Sequence, residues 1–334
     1  MKLDAEFYAN HWQKTPWIGR GAVDLTALTP SVDQLWDWAR ASNNARVIQP
    51  DQNFLVTLNA ISPPTSNHTL LVGQIEQLCP RWDAWSRSLA CIGRWSFSDL
   101  MISHACAGAS VGAHRDQYDV FLIQIAGQRR WDIGTTADRE LPEIDQGGSK
   151  LLQGFVADNS VTLSAGDVLY VPPGCGHHGV ALDDECMTLS VGFRQPRVNE
   201  VLERMAELAP DQLMTDLRSQ APGTDFGDPA QARQALLSFI QDLDDEVIAA
   251  ATALACTQQA ESDSDANTQQ VRFHSAVRAA SIDHEQAAVM GELFEISATT
   301  LSSLVHSSVD IDTLNEHEQS VIEEFRDAGW LEDA

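Results

Sequence analysis

Two short stretches of this chain carry polar side chains at spacings that suit a shared ligand. In GAHRDQYDVF, residues 112–121, His114 and Asp116 have one residue between them and lead into an apolar run. In GDVLYVPPGCGHHG, residues 166–179, His177 and His178 follow another apolar run and a Pro-Pro-Gly turn. Imidazoles and carboxylates avoid burial unless something pairs with them. On a strand, residues two apart face the same side, so His114 and Asp116 offer two ligand atoms from one element. One histidine of the second stretch completes a set of two imidazoles and a carboxylate. That donor set suits a non-haem Fe(II) ion with coordination positions left open. From these residues alone, either His177 or His178 can be the third ligand. The plain alternative is a solvated loop beside an unrelated polar turn. His68 and His104 read as surface or locally bonded histidines.

Such a set works only if a fold brings the two stretches together. From about Asp99 the chain is written in short apolar runs: DLMISHA, YDVFLIQIAG, QRRWDIG, SVTLSAGDVLYVPPG and CMTLSVGFR. Gly, Pro, Asn and Asp punctuate them, and no long helix intervenes, which points to an antiparallel barrel or sandwich. Before them the chain reads as short helices and turns. DLTALTPSVDQLWDWARAS offers Thr29 or Ser31 as a cap before a Val32, Leu35, Trp36, Trp38 face. NHTLLVGQIEQLCP reads as another amphipathic helix, stopped by Pro80. After Arg194 the strand signal ends. PRVNEVLERMAELAPDQLMTDL and DPAQARQALLSFIQDLDDEVIAAATALA have helical period, with Asp228 and Pro229 marking a start. TQQAESDSDANTQQ reads as a linker. Residues 271–334 carry modest apolar runs, and Arg272, Arg278 and Arg326 are their only basic Lys or Arg residues.

Composition narrows the partners. The 334 residues are 43% hydrophobic with nine Trp, enough for a large core and more than one domain. A formal net charge of -27 argues against general phosphate binding, so no direct nucleic-acid binding is expected. A basic partner, such as a ribosomal or chromatin protein, is attracted instead. The six cysteines (Cys79, Cys91, Cys106, Cys175, Cys186 and Cys256) form no C-x-x-C pair and suit reduced thiols. MKLDAEFYANHWQKTPW lacks an apolar signal core, and no apolar stretch is long enough to span a membrane, so a cytoplasmic location is expected.

The order of the strand blocks resembles the JmjC-type 2-oxoglutarate oxygenases, and within them the bacterial ribosomal oxygenases. DLMIS, HRDQYDVFLIQIAGQRRWDIG, GDVLYVPPGCGHHG and LSVGFR are similar to the corresponding blocks of that family. The resemblance implies a β-rich fold with helices: a cupin-like double-stranded β-helix over residues 1–195, with its N-terminal helices. A helical dimerisation region at 196–256 and a small winged-helix-like segment at 271–334 would follow. It implies His114, Asp116 and His177 as Fe(II) ligands, with His178 standing where the family often has an acid. The family's G-x-[KR]-x-W pattern falls on Gly127, Arg129 and Trp131, so Arg129 is expected to hold the distal carboxylate of 2-oxoglutarate. A guanidinium stays charged and grips a carboxylate with two parallel hydrogen bonds. Arg130 faces the other way if the segment is a strand. Ser190 is expected to add a hydroxyl to the cosubstrate pocket, and Tyr118 and Asp119 to meet a cationic substrate side chain.

The activity so implied uses Fe(II), 2-oxoglutarate and O2 to hydroxylate the β-carbon, C3, of an arginine in a large-subunit (50S) ribosomal protein. Two rivals stand beside it: a histidine hydroxylase of a ribosomal protein, and a non-catalytic cupin-fold binding protein. DQYDVF leans toward the arginine branch, and the intact H-x-D…H set with Arg129 leans away from a dead relative. Histone demethylation has no chromatin-reading module to support it. The apolar stripes of residues 196–256 predict a homodimer.

Overall fold

The apolar run at residues 119–126 is covered on both faces, and this sets the layers of the protein. Phe121 and Ile123 pack in one core with Phe7, Leu35, Trp36 and Trp82 from the N-terminal helices. Val120 and Leu122, pointing the opposite way, pack in another with Trp131, Ile133 and Leu163. Each fully buried side chain of this size contributes about 1.5–3 kcal/mol. A strand covered on both sides loses its polar alternation and reads as continuous apolar sequence.

The computed structural model describes residues 3–42, 44–49, 52–55, 67–89, 93–146, 149–209, 229–257 and 268–334. The chain divides into two compact units, Met1–Arg194 and Gln195–Ala334. The first contains strands β1 (Trp17–Gly19), β2 (Ala45–Gln49), β3 (Gln52–Leu55), β4 (Thr69–Val72), β5 (Phe97–Ala105), β6 (His114–Arg115) and β7 (Asp119–Ala126). They are followed by β8 (Gln128–Ile133), β9 (Glu143–Gln146), β10 (Ser149–Leu152), β11 (Asn159–Ser164), β12 (Val168–Val171), β13 (Gly176–Ala181) and β14 (Cys186–Phe193). An eight-stranded sheet runs in the order β1-β12-β7-β14-β5-β4-β2-β3, and a four-stranded sheet in the order β11-β8-β13-β6. The ladders are antiparallel, for example Leu169↔Leu122 and Ser190↔Leu122. Residues of both sheets line one cavity. This is the expected β-rich cupin-like architecture.

Helices α1 (Ala5–Asn10), α2 (Val32–Ala41), α3 (Ile75–Leu78) and α4 (Pro80–Arg87) belong to the same unit. Ser31 caps α2 by accepting from the backbone N–H of Gln34, which chooses it over Thr29. The helix expected across NHTLLVGQIEQLCP is not there as one element. Thr69–Val72 is a strand, buried at all four positions, and it pairs with β2 and β5. Pro80 opens α4 rather than stopping a helix. Its fixed φ and missing N–H cost nothing in a first helical turn. The early strands β2–β4 extend the large sheet where the sequence suggested only helices and turns.

In the second unit, α5 (Val198–Leu208), α6 (Pro229–Asp242) and α7 (Asp245–Thr257) precede two three-stranded sheets. These are β19-β15-β20 and β16-β17-β18, built from β15 (Gln270–Phe273), β16 (Ala279–Ser281), β17 (Gln286–Val289), β18 (Glu292–Glu295), β19 (Val309–Asp310) and β20 (Leu331–Asp333). Helices α8 (Ala298–His306) and α9 (Glu316–Asp327) complete this part. Ala253 and Leu254 of α7 pack with Ala288 of β17, so the helices share a core with the strands that follow. Most of the expected linker at 257–270, and Cys91, lie outside the described residues.

Candidate active site

Strand β6 is two residues long and lies at the edge of the four-stranded sheet. Its ladder with β13 sets His114 opposite His177, with ring centroids 4.3 Å apart. Asp116 closes the group: its Oδ2 lies 3.6 Å from His177 Nε2. One ligand atom from each of His114, Asp116 and His177 lies within 4.8 Å of the others. The two imidazoles are held alike. Nδ1 of His114 donates to the carbonyl of Gly112 at 3.0 Å, and Nδ1 of His177 to that of Cys175 at 3.2 Å. A carbonyl only accepts, so each Nδ1 carries the proton and each Nε2 keeps its lone pair.

Burial pushes the His177 imidazole down to about 4; neighbouring His114 adds to this and Asp116 opposes it. His177 is therefore neutral near pH 7, the form that binds metal. His178 faces the other side of β13, where it stands opposite Asp132. The structure brings His177, not His178, to the pair.

Arg129 is 3% exposed and lines the same cavity, of about 290 Å³. Its Nε donates to Cys186 Sγ at 3.3 Å, and its guanidinium lies 5.6 Å from the Trp131 ring centroid. Its Nη2 is buried without a hydrogen-bond partner. A buried cation with an unsatisfied donor is costly, and an anion in the cavity relieves that cost. Gly179, opposite Trp131, leaves the room the indole needs: a Cβ there would sit 2.7 Å from the ring. Arg130 is exposed and reaches Asp132 instead.

The remaining expected residues separate. Ser190 and Tyr118 line the cavity. Burial raises the Tyr118 phenol, and Asp116 and Asp99 raise it further. Asp119 is fully buried elsewhere: Tyr170 Oη donates to its Oδ1 at 2.5 Å and Gln13 Nε2 to its Oδ2 at 3.3 Å. The acids beside Tyr118 are Asp116, which also hydrogen-bonds it, and half-buried Asp99 on β5. Thr188 also lines the cavity, with its hydroxyl donating to Gln124 Oε1 at 2.9 Å. Its signal was present in MTLSVGF, where Thr188 and Ser190 alternate with buried Leu189 and Val191. Arg46, Arg115 and Lys150 add three more cations to the lining, Arg46 and Lys150 from segments with no motif to mark them.

Known proteins share this fold. The JmjC domain family matches residues 85–201. The chain is 32% identical over 234 residues to the ribosomal protein uL16 3-hydroxylase of Escherichia coli, covering 67% of this chain and 59% of that protein. It is 28% identical over 211 residues to a probable ribosomal oxygenase of Haemophilus influenzae, covering 60% and 52%. The matched stretches thus span less than two thirds of these relatives. The X-ray structure of Escherichia coli YcfD superposes with a TM-score of 0.80 at 22% identity, covering 98% of both chains. A structure of that ribosomal oxygenase in complex with cobalt and 2-oxoglutarate superposes at 0.75, with 22% identity, covering 98% of this chain and 96% of that one. Residues 85–201 are a JmjC domain, and the chain is a homologue of the ribosomal protein uL16 3-hydroxylase.

Proposed function

We propose that the protein is a 2-oxoglutarate- and Fe(II)-dependent protein hydroxylase that acts on a large-subunit ribosomal protein, at the β-carbon of an arginine. One observation carries this reading. Two imidazole Nε2 atoms and one carboxylate converge on a cavity into which a buried arginine brings an unpartnered donor. The donor set fits Fe(II), and the orphaned Nη2 fits a carboxylate.

His114, Asp116 and His177 would hold the metal, and Arg129 the distal carboxylate of 2-oxoglutarate, with Ser190 and Thr188 adding hydroxyls. The chemistry supplied by Fe(II) here is the coupling of two oxidations by O2: 2-oxoglutarate becomes succinate and carbon dioxide, and a substrate C–H becomes C–OH. The chain's own task is to bind, orient and exclude water. The Gly112 and Cys175 carbonyls fix which imidazole nitrogen faces the cavity. Trp131, Val120 and Leu122 keep its floor apolar. Tyr118, which lines the cavity, would meet a substrate guanidinium, whereas the Asp119 carboxylate is engaged by Tyr170 and Gln13. The net charge of -27 favours a basic ribosomal protein over nucleic acid.

Residues 196–256 are assigned to homodimerisation. Val198 and Leu202 on α5, and Leu236, Leu237 and Ile240 on α6, are exposed apolar residues at helical spacing. Among the described residues no helix is long and apolar enough to cross a membrane. A ribosomal substrate supports a cytoplasmic location.

The test is incubation with Fe(II), 2-oxoglutarate and basic peptides from large-subunit ribosomal proteins. Succinate release with one oxygen added at an arginine, located by fragmentation, is the expected result. An oxygen on histidine moves the protein to the rival branch. No succinate release with any peptide or intact ribosomal protein removes the enzyme reading.

A further inference from the structure

Arg115 lies between two of the proposed ligands, on a strand too short to hold itself in place. Only two register pairs join β6 to β13. Arg115 is among the residues that line the cavity, but its guanidinium is turned into the protein. There it is 11% exposed, and its Nε meets Glu143 Oε1 at 3.0 Å. Its Nη1 donates to the carbonyl of Leu141 at 3.0 Å and to that of Asp138. One guanidinium thus reaches the end of the 3-10 turn Thr136–Glu140 and the first residue of β9.

The same turn grips the other ligand-bearing segment. Arg139 Nη2 donates to the Pro173 carbonyl at 2.6 Å, and Asp138 Oδ2 accepts from the backbone N–H of Gly176 at 3.1 Å. Gly176 immediately precedes His177. The turn therefore touches the His177 segment directly and the His114–Asp116 segment through Arg115. The hairpin β9–β10 leaves from this turn and returns to the ligand strand, where the Leu152 N–H donates to the Ala113 carbonyl at 2.9 Å. Between those points Ser149, Lys150 and Leu151 form part of the cavity wall.

We propose that Arg115 is a positioning residue: through the turn Thr136–Glu140 it fixes the spacing between His114–Asp116 and His177, and it locks the β9–β10 hairpin against the cavity as the wall that substrate meets. The ligand role of the three residues rests on the oxygenase reading; the bracket itself does not. A planar guanidinium is suited to this because it joins a carboxylate and two carbonyls at once, which no other side chain matches with one charge. Its partly buried ion pair is also screened less than an exposed one.

The test uses Arg115→Leu in the full chain. Amide hydrogen exchange is followed on metal-free protein, and Co(II) affinity by optical titration. The amides of Leu152 and Gly176 are expected to exchange at least about tenfold faster while those of Phe121 and Ile123 are unchanged, as local opening requires. The Co(II) dissociation constant is expected to rise roughly tenfold, the effect typical of losing an outer support of a metal site. Unchanged exchange at Leu152 and Gly176 overturns the proposal. So does acceleration spread evenly through β7, which would mean general loosening. Unaltered Co(II) affinity beside faster exchange overturns the link to the ligands. If Arg115→Leu does not fold, Glu143→Gln takes its place: faster exchange at Leu152 supports the bracket, and unchanged exchange overturns it. The exchange arm needs neither metal nor turnover. A wild-type chain that fails to bind Co(II) or consume oxoglutarate would therefore remove the oxygenase reading and leave the bracket to be judged separately.

Discussion

His178 stands opposite Asp132 in the β13–β8 ladder, with Nδ1 3.7 Å from Oδ2, on the face of the strand turned away from His114. Two adjacent histidines thus have different neighbours because a strand alternates. His177→Ala, His114→Ala and Asp116→Ala are each expected to abolish oxoglutarate turnover. His178→Ala is expected to keep most of it. Succinate release by the four variants checks this, and full activity in His177→Ala would reverse the assignment.

Arg129→Ala removes a charge-assisted pair worth about 1.5–3 kcal/mol, so oxoglutarate affinity is expected to fall tenfold or more. Arg129→Lys keeps the charge but not the fork, and is expected to recover only part of it. Unchanged affinity in Arg129→Ala would place the carboxylate elsewhere. Titration with oxoglutarate and a spectroscopically visible metal measures the change.

Leu236, Leu237 and Ile240 are 57%, 52% and 38% exposed, so α6 turns an apolar edge outward. Light scattering at low micromolar concentration is expected to give the mass of a dimer. Leu236→Glu with Ile240→Glu is expected to shift it toward monomer, because charges on a buried apolar face oppose association. A monomeric wild-type chain would end the dimer assignment.

Glu318 gives the second unit an acid-sensitive point. Burial alone would raise its carboxyl, but hydrogen bonds from Thr300, Ser297 and Asn315 outweigh this and hold it below its ordinary value of 4.5. A carboxyl lowered by folding stabilises fully above its unfolded pKa, and the contribution disappears as pH falls through the folded value. Unfolding monitored from pH 7 to pH 3 is expected to show a flatter acid limb in Glu318→Gln than in wild type. Glu318→Ala is expected to cost about 1–3 kcal/mol at pH 7, the penalty of leaving the buried Thr300 hydroxyl and the part-buried Ser297 amide without their acceptor. Identical acid limbs would show that its partners do not favour the ionised form.

Much of the barrel was legible because its strands are short and bounded by turn residues. DVFLIQIA and CMTLSVGF read directly as β7 and β14. TLLV did not, since a strand buried on both faces has no alternation to separate it from helix, and a helical stretch follows it. The His114–Asp116 pair was visible through its spacing, whereas the choice of His177 over His178 rested on the family resemblance, and the ladder register gives its physical reason. Asp119 misled for a different reason. Its partners Gln13 and Tyr170 lie far away in sequence, so nothing local marks it as a buried structural acid. Arg115 was hidden between two more conspicuous residues, with its role set by carbonyls that any sequence could supply.

The double cover of β7 has a consequence during synthesis. Asp119–Ala126 leaves the ribosome well before its ladder partners, which begin at Val168 and Cys186. Until both arrive, a largely apolar segment with two open edges is available to any similar strand, the setting in which nascent chains aggregate. The acid at its start and the arginine pair soon after its end act as gatekeepers. A chain halted between β7 and β14 is therefore expected to be the species that chaperones hold.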